Sequence, residues 1–208
     1  DLVISGENEA GNPITGLYIN DALGNGNFSR DNHESTVDTL GDLSAVMRGS
    51  TTFLSVGENS DTDPDLLLTG QLSGGSGLTE LYTNDGSGDF TTAGAGLQAV
   101  SGGKSAATDL TGDGNSEVVL TGADNDGNSV LTVYENDGTG SFSVLESSTE
   151  GGTDLSGVLF GSISHGDLNG DGEVDLVVTG AGSSLETKTA LYLNTGLGSF
   201  SQDPQSTG

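Results

Sequence analysis

No cysteine occurs in the sequence. Disulfides, thiolate metal sites and cysteine nucleophiles are therefore excluded. That absence does not fix a compartment, because a bound cation can brace a fold in an oxidising space. Basic residues are almost as scarce: four Lys plus Arg stand against 31 Asp plus Glu, for a net charge of −27. Such a surface cannot bind nucleic acid through its phosphates, and it disfavours docking on anionic membranes. No run approaches 18 apolar residues, so no segment reads as a membrane-spanning helix and no direct membrane insertion is expected. The chain opens at Asp1 without a signal-like segment, which fits a processed or trimmed product. Acid-rich, lysine-poor composition is also the pattern of salt-adapted proteins, in which dense salt screens self-repulsion; an ordinary acidic secreted domain is the alternative. With only 31% hydrophobic residues, this charge would ordinarily argue for disorder. Two features oppose it: 36 glycines at regular places, and apolar residues gathered into short runs.

Those runs repeat. Asp1-Leu-Val-Ile-Ser-Gly6, Asp65-Leu-Leu-Leu-Thr-Gly70, Glu117-Val-Val-Leu-Thr-Gly122 and Asp175-Leu-Val-Val-Thr-Gly180 are one motif in four copies, 64, 52 and 58 residues apart. A tyrosine follows each opening acid by 17 positions: Tyr18, Tyr82, Tyr134 and Tyr192, all four in the chain. Two residues beyond each tyrosine stands Asn20, Asn84, Asn136 or Asn194, then a Gly-rich turn closed by Phe28, Phe90, Phe142 or Phe200. The opening runs read as strands buried on both faces, the tyrosine segments as second strands, and Asn-Asp-Gly sequences as hairpin turns. Residues from each Phe onward give a third strand. A fourth precedes each later opening, at Thr52–Val56, Ser105–Thr108 and Leu159–Ser164. No segment has helical periodicity. The expectation is an all-β chain with blades of four short antiparallel strands, the unit of a β-propeller.

The most chemically specific segments precede the opening runs. Asp167-Leu-Asn-Gly-Asp-Gly-Glu-Val-Asp175 places oxygen-bearing Asp167, Asn169, Asp171 and Asp175 at loop positions 1, 3, 5 and 9. Gly172 allows a sharp turn at position 6, and Glu173 at position 7 offers its carbonyl. Calcium takes about six to eight hard oxygen ligands, and alternate acids on a tight loop supply them. Unpaired, so many acids in one short loop would repel one another. The frame recurs at Asp109, Thr111, Asp113, Asn115 and Glu117, where Thr111 weakens one position. It is damaged between Gly57 and Asp65: glycine takes position 1 and Thr62 position 6. Asn59, Asp61, Asp63 and Asp65 remain as candidate ligands of a weak or empty third site, with Glu58 able to swing in.

Ser164-His-Gly-Asp-Leu-Asn-Gly-Asp-Gly-Glu-Val-Asp-Leu-Val-Val178, followed by Leu191-Tyr-Leu-Asn194 and Gly198-Ser-Phe200, resembles the FG-GAP/VCBS repeat, which builds the calcium-binding propeller of integrin alpha subunits and many microbial surface proteins. The resemblance spans four copies and is strongest at the loop beginning at Asp167. It implies a non-enzymatic, extracellular or cell-surface propeller segment that binds calcium and serves adhesion, ligand binding or surface assembly. Its partners would be a protein or carbohydrate ligand, or further copies of the chain. Two other readings stay open: an accessory propeller of a polysaccharide-acting enzyme, and a structural subunit of a surface layer or filament. About four blades are expected, near residues 1–50 (lacking its first strand), 51–102, 103–157 and 158–208. The resemblance implies a propeller of usually seven blades, so the chain is expected to belong to a larger ring, to be completed by further copies, or to form a small four-bladed ring whose first blade is closed by some other strand.

Candidates for catalysis are few. Only His33 and His165 could serve as a base near neutral pH, and Ser162 and Ser164 lack the elbow motif of a serine nucleophile. The four tyrosines could form a carbohydrate-stacking set; their common register favours packing between blades instead.

Overall fold

The computed structural model describes residues 2–20, 28–30, 43–57, 63–86, 89–145 and 155–203. These form fifteen strands and, among the described residues, no helix. The first sheet contains β1 (Leu2–Glu7), β2 (Pro13–Asn20) and β3 (Phe28–Arg30). The second contains β4 (Met47–Leu54), β5 (Asp65–Gln71), β6 (Gly77–Asn84) and β7 (Phe90–Ala93). The third contains β8 (Ser101–Thr108), β9 (Glu117–Ala123), β10 (Ser129–Asn136) and β11 (Phe142–Val144). The fourth contains β12 (Leu159–Gly166), β13 (Asp175–Ala181), β14 (Thr187–Asn194) and β15 (Phe200–Gln202). Strands are antiparallel and paired in sequence order. β4 lies against β8, and β8 against β12, so the first strands of successive sheets meet at the centre, as in propeller blades.

The apolar opening run is a strand because both its faces are covered. Leu66 and Leu68 pack with Val3, Val46, Tyr82 and Phe90 on one side of the second sheet, while Leu67 packs with Val118, Leu120 and Tyr134 on the other. Between the third and fourth sheets, Val119 and Val133 meet Leu176, Val178 and Tyr192. Each of Tyr82, Tyr134 and Tyr192 thus packs toward the preceding sheet. Its hydroxyl also accepts an amide from the segment that enters its own sheet: Ser44 on Tyr82 at 2.9 Å, Gln98 on Tyr134 at 3.1 Å and Ser156 on Tyr192 at 2.8 Å. This double duty, packing and capture of a connecting segment, explains the fixed register of the tyrosines.

The expectation that every tyrosine is buried between blades holds for Tyr82, Tyr134 and Tyr192, whereas Tyr18 is half-buried. Its side of the first sheet has no covering sheet among the described residues, and Leu2 and Ile4, the counterparts of buried Leu66 and Leu68, are 44% and 45% exposed. Phe90 and Phe200 are buried, and Phe142 is half-buried.

The first strands of the last three sheets are longer than their sequence suggests, eight residues each. Each carries a bulge near its start, between Met47 and Ser50, Ser101 and Lys104, and Leu159 and Ser162. Glycine is required within the bulge, because a Cβ on Gly49, Gly103 or Gly161 would fall 2.0–2.2 Å from the carbonyl oxygen of Thr69, Thr121 or Thr179.

Tyr192→Phe should leave the packing intact but strand the Ser156 amide, costing about 1 kcal/mol and lowering Tm by roughly 2–4 °C. Thermal melting checks this, and an unchanged Tm would mean that water replaces the hydroxyl at no cost.

Candidate metal centre

The two complete loops fold alike. Position 1 accepts two amides of its own loop: Asp167 takes those of Gly170 (2.7 Å) and Gly172 (3.1 Å), and Asp109 those of Gly112 (2.7 Å) and Gly114 (3.0 Å). The glycines at positions 4 and 6 have φ between 80° and 96°, which lets the chain coil around the carboxylate. At position 5, Asp171 accepts the Glu173 amide at 2.9 Å and the Asn169 side-chain amide at 2.8 Å. Asp113 accepts the main-chain and side-chain amides of Asn115 at 2.8 and 3.0 Å. The Glu173 amide, then the Asn169 side chain, holds the Asp171 carboxyl below the usual carboxylate range; the two Asn115 groups do the same for Asp113. Both are ionised and exposed at neutral pH.

Position 9 differs. Asp65, Glu117 and Asp175 are buried at the head of the second strand of their sheets. Asp175 accepts the Leu168 amide of its loop (2.9 Å) and the Asn194 amide of β14 (2.8 Å). Asp65 does the same with Val56 (2.7 Å) and Asn84 (2.9 Å). The repeat asparagines complete the joint. Asn84, Asn136 and Asn194 each accept the amide of the glycine two residues on, at 3.0 Å, and donate to the carbonyl of Pro64, Ser116 or Val174. Reading the sequence marked these asparagines only as turn openers; their constant offset of 19 residues from the position-9 acid was the available signal.

Glu117 departs from the pattern. Its longer side chain takes the Leu110 and Thr111 amides on Oε2, at 2.6 and 3.1 Å, and leaves Oε1 buried without a hydrogen-bond partner. Burial, first, and the charges of Asp113 and Asp109 push its carboxyl above its ordinary value, against the pull of the two amides. The Thr111 hydroxyl oxygen is also buried without a hydrogen bond of standard geometry, yet it lies near enough to Asp113 to lower that carboxyl slightly.

In the loop before β5, Asn59 and Asp61 lie outside the described residues, and Asp63 is half-buried beside Gly86. Strand register sets Leu54 opposite Asp65, as Thr108 faces Glu117 and Gly166 faces Asp175. Ser55 is therefore level with Asp109 and Asp167. This loop is two residues longer than the nine-residue frame that begins at Gly57.

Among the described residues, no three acidic or histidine side chains converge into a ready ion clamp; without an ion, the loop oxygens face backbone amides. The donor set nevertheless fits a hard cation. It consists of carboxylates, amide oxygens and carbonyls, and the second loop holds an unpartnered carboxylate oxygen, Glu117 Oε1. Asp167, Asn169, Asp171, Glu173 and Asp175 would hold one ion, and Asp109, Thr111, Asp113, Asn115 and Glu117 a second. His165 is exposed on β12, and His33 lies outside the described residues.

The FG-GAP-like repeat family matches residues 109–178, which run from the start of the second loop through the third and into β13. No curated protein matches the chain. Among the described residues, no helix is long and apolar enough to cross a membrane.

Two predictions separate the roles of these acids. Asp175→Ala should destabilise the chain by about 3 kcal/mol or more with or without calcium, because it strands two buried amides; Asp171→Ala should lower Tm only when calcium is present. Equal responses of the two variants to chelator would contradict this division. For Glu117, a carboxyl raised in the folded state means that the calcium-free fold binds the extra proton. Its contribution to stability then falls as pH rises from the ordinary value through the raised one. In chelator, Glu117→Gln should melt increasingly above wild type as pH climbs through that window; a pH-independent difference would show the carboxyl to be unstrained.

Proposed function

From the FG-GAP-like repeat as premise, we propose that this chain is a non-enzymatic, extracellular calcium-binding propeller segment that presents a ligand-binding surface in adhesion or surface assembly. Repeats of this family are generally non-catalytic and typically extracellular, and the chain is all-β with propeller-like sheets. The observation that carries the calcium reading is the buried, unpartnered Glu117 Oε1 in a loop whose position-5 acid, Asp113, stands exposed and ionised. Bound in these loops, calcium would neutralise crowded carboxylates. Asp167 and Asp109 pre-coil their loops, Asp171 and Asp113 supply charge at the rim, and Asp175 and Glu117 tie the loop to the strand behind it.

The charge of −27 supports a cell-surface setting rich in salt, where the Debye length falls to about 3 Å at molar concentration and repulsion between acids is suppressed. The face with Leu2 and Ile4, which no sheet covers among the described residues, supports contact with a further blade, whether from a longer polypeptide or another copy.

Melting the chain in calcium and in chelator at constant high salt tests the calcium reading. Calcium at about one hundred times Kd adds roughly 2.7 kcal/mol per site, so Tm should rise by at least about 5 °C. Coincident melting curves would contradict the proposal.

A further inference from the structure

Where β4, β8 and β12 meet, their bulges form a cavity of about 220 Å³, open to solvent and lined by Arg48, Gly49, Gly102, Lys104, Phe160 and Gly161. It holds two of the four basic residues of the whole sequence. The Lys104 ammonium is fixed by a 2.8 Å hydrogen bond to the Gly49 carbonyl and keeps two N–H groups for other partners. The Arg48 guanidinium is exposed, and its Nε is 3.9 Å from Glu7 Oε1, too long for a hydrogen bond, with both side chains open to solvent. Phe160 is 69% exposed and rests one ring edge over Gly102, whose missing side chain makes room for it.

Backbone conformation gives an independent sign. Arg48, Gly102 and Phe160 occupy the same bulge position in three sheets, with φ of 52°, 59° and 53°. Glycine takes this left-handed conformation without strain; arginine and phenylalanine do not. Strained, exposed, non-glycine residues gathered on one cavity are the pattern of a binding site, in which strain is tolerated for the side chain it presents.

We propose that this cavity binds a single uronic acid residue of a saccharide. The Arg48 fork and the Lys104 ammonium would take the carboxylate, while the C–H face of the sugar ring packs on Phe160. A volume below that of drug-sized pockets suits one sugar unit. The acidic remainder of the molecule repels polyanions, which favours a ligand with one carboxylate. This assignment rests on the ligand-display reading above but not on calcium. The cavity lies at the start of the eight-residue first strands, whereas the loops follow their ends, roughly 25 Å away.

The test is an NMR titration of the 208-residue chain, in saturating calcium and high salt, with cellobiouronic acid, cellobiose and a blocked aspartate dipeptide. Cellobiouronic acid should shift the amides of Gly102 and Gly161, with cellobiose and the dipeptide each at least tenfold weaker. Arg48→Gly and Phe160→Gly should each weaken binding at least tenfold without lowering Tm, because glycine already occupies the equivalent position at Gly102. Both variants should keep the calcium-induced rise in Tm, which separates failure of this site from failure of the calcium reading. No shift at these amides, equal binding of cellobiose, or binding that survives both substitutions would overturn the proposal. Equal binding of the dipeptide would overturn the saccharide assignment.

Discussion

One carboxylate, buried at the head of the second strand in each of the last three sheets, joins loop to sheet. Asp65 and Asp175 each accept one amide from the loop before the strand and one from the asparagine of the next strand. A buried acid of this kind is tolerated because charge-assisted hydrogen bonds replace the lost water. With the joint in place, the asparagine side chain closes the following turn, the tyrosine two residues earlier is directed at the preceding sheet, and the acidic loop is held over the end of the first strand. Glu117 shows what happens when the joint is altered by one methylene: both loop amides go to one oxygen and the other is left alone.

The same joint divides labour within the acidic loops. The position-5 acids are exposed and, like those at position 1, hold their loop through local amides, whereas position 9 is buried and structural even without an ion. A cation would therefore meet a loop already coiled, and its binding energy would not be spent on ordering the chain. In a protein with so few basic residues, a cation held in such loops would neutralise charge without lysine or arginine. The two cations at the opposite end of the first strands are then conspicuous, since neither Arg48 nor Lys104 serves the loops.

Much of this was legible in the sequence because packing and turn chemistry repeat with it. The run Asp175–Gly180 must be a strand covered on both faces, and Tyr192, locked 17 residues later, had to belong to the packing between sheets. Other features could not be read in that way. Ser105–Thr108 was legible as a strand, but Ser101-Gly-Gly-Lys104 before it has neither alternation nor bulk, and it joins that strand through a bulge in which Gly103 fits against the Thr121 carbonyl. The length of the loop before β5 was misjudged because Gly57 resembles a damaged position 1, whereas strand pairing assigns that level to Ser55. Half-burial of Tyr18 depends on a covering sheet, which no local pattern reports. The bulge cavity was invisible because Arg48, Lys104 and Phe160 come from three repeats and share no motif.

Calcium stoichiometry tests the account most directly. Equilibrium dialysis of the 208-residue chain at high salt should find two ions bound tightly, one lost in Asp171→Ala and the other in Asp113→Ala. A chain that binds no calcium under these conditions, or whose binding is indifferent to both substitutions, would contradict the assignment of these loops as ion sites held by a buried carboxylate.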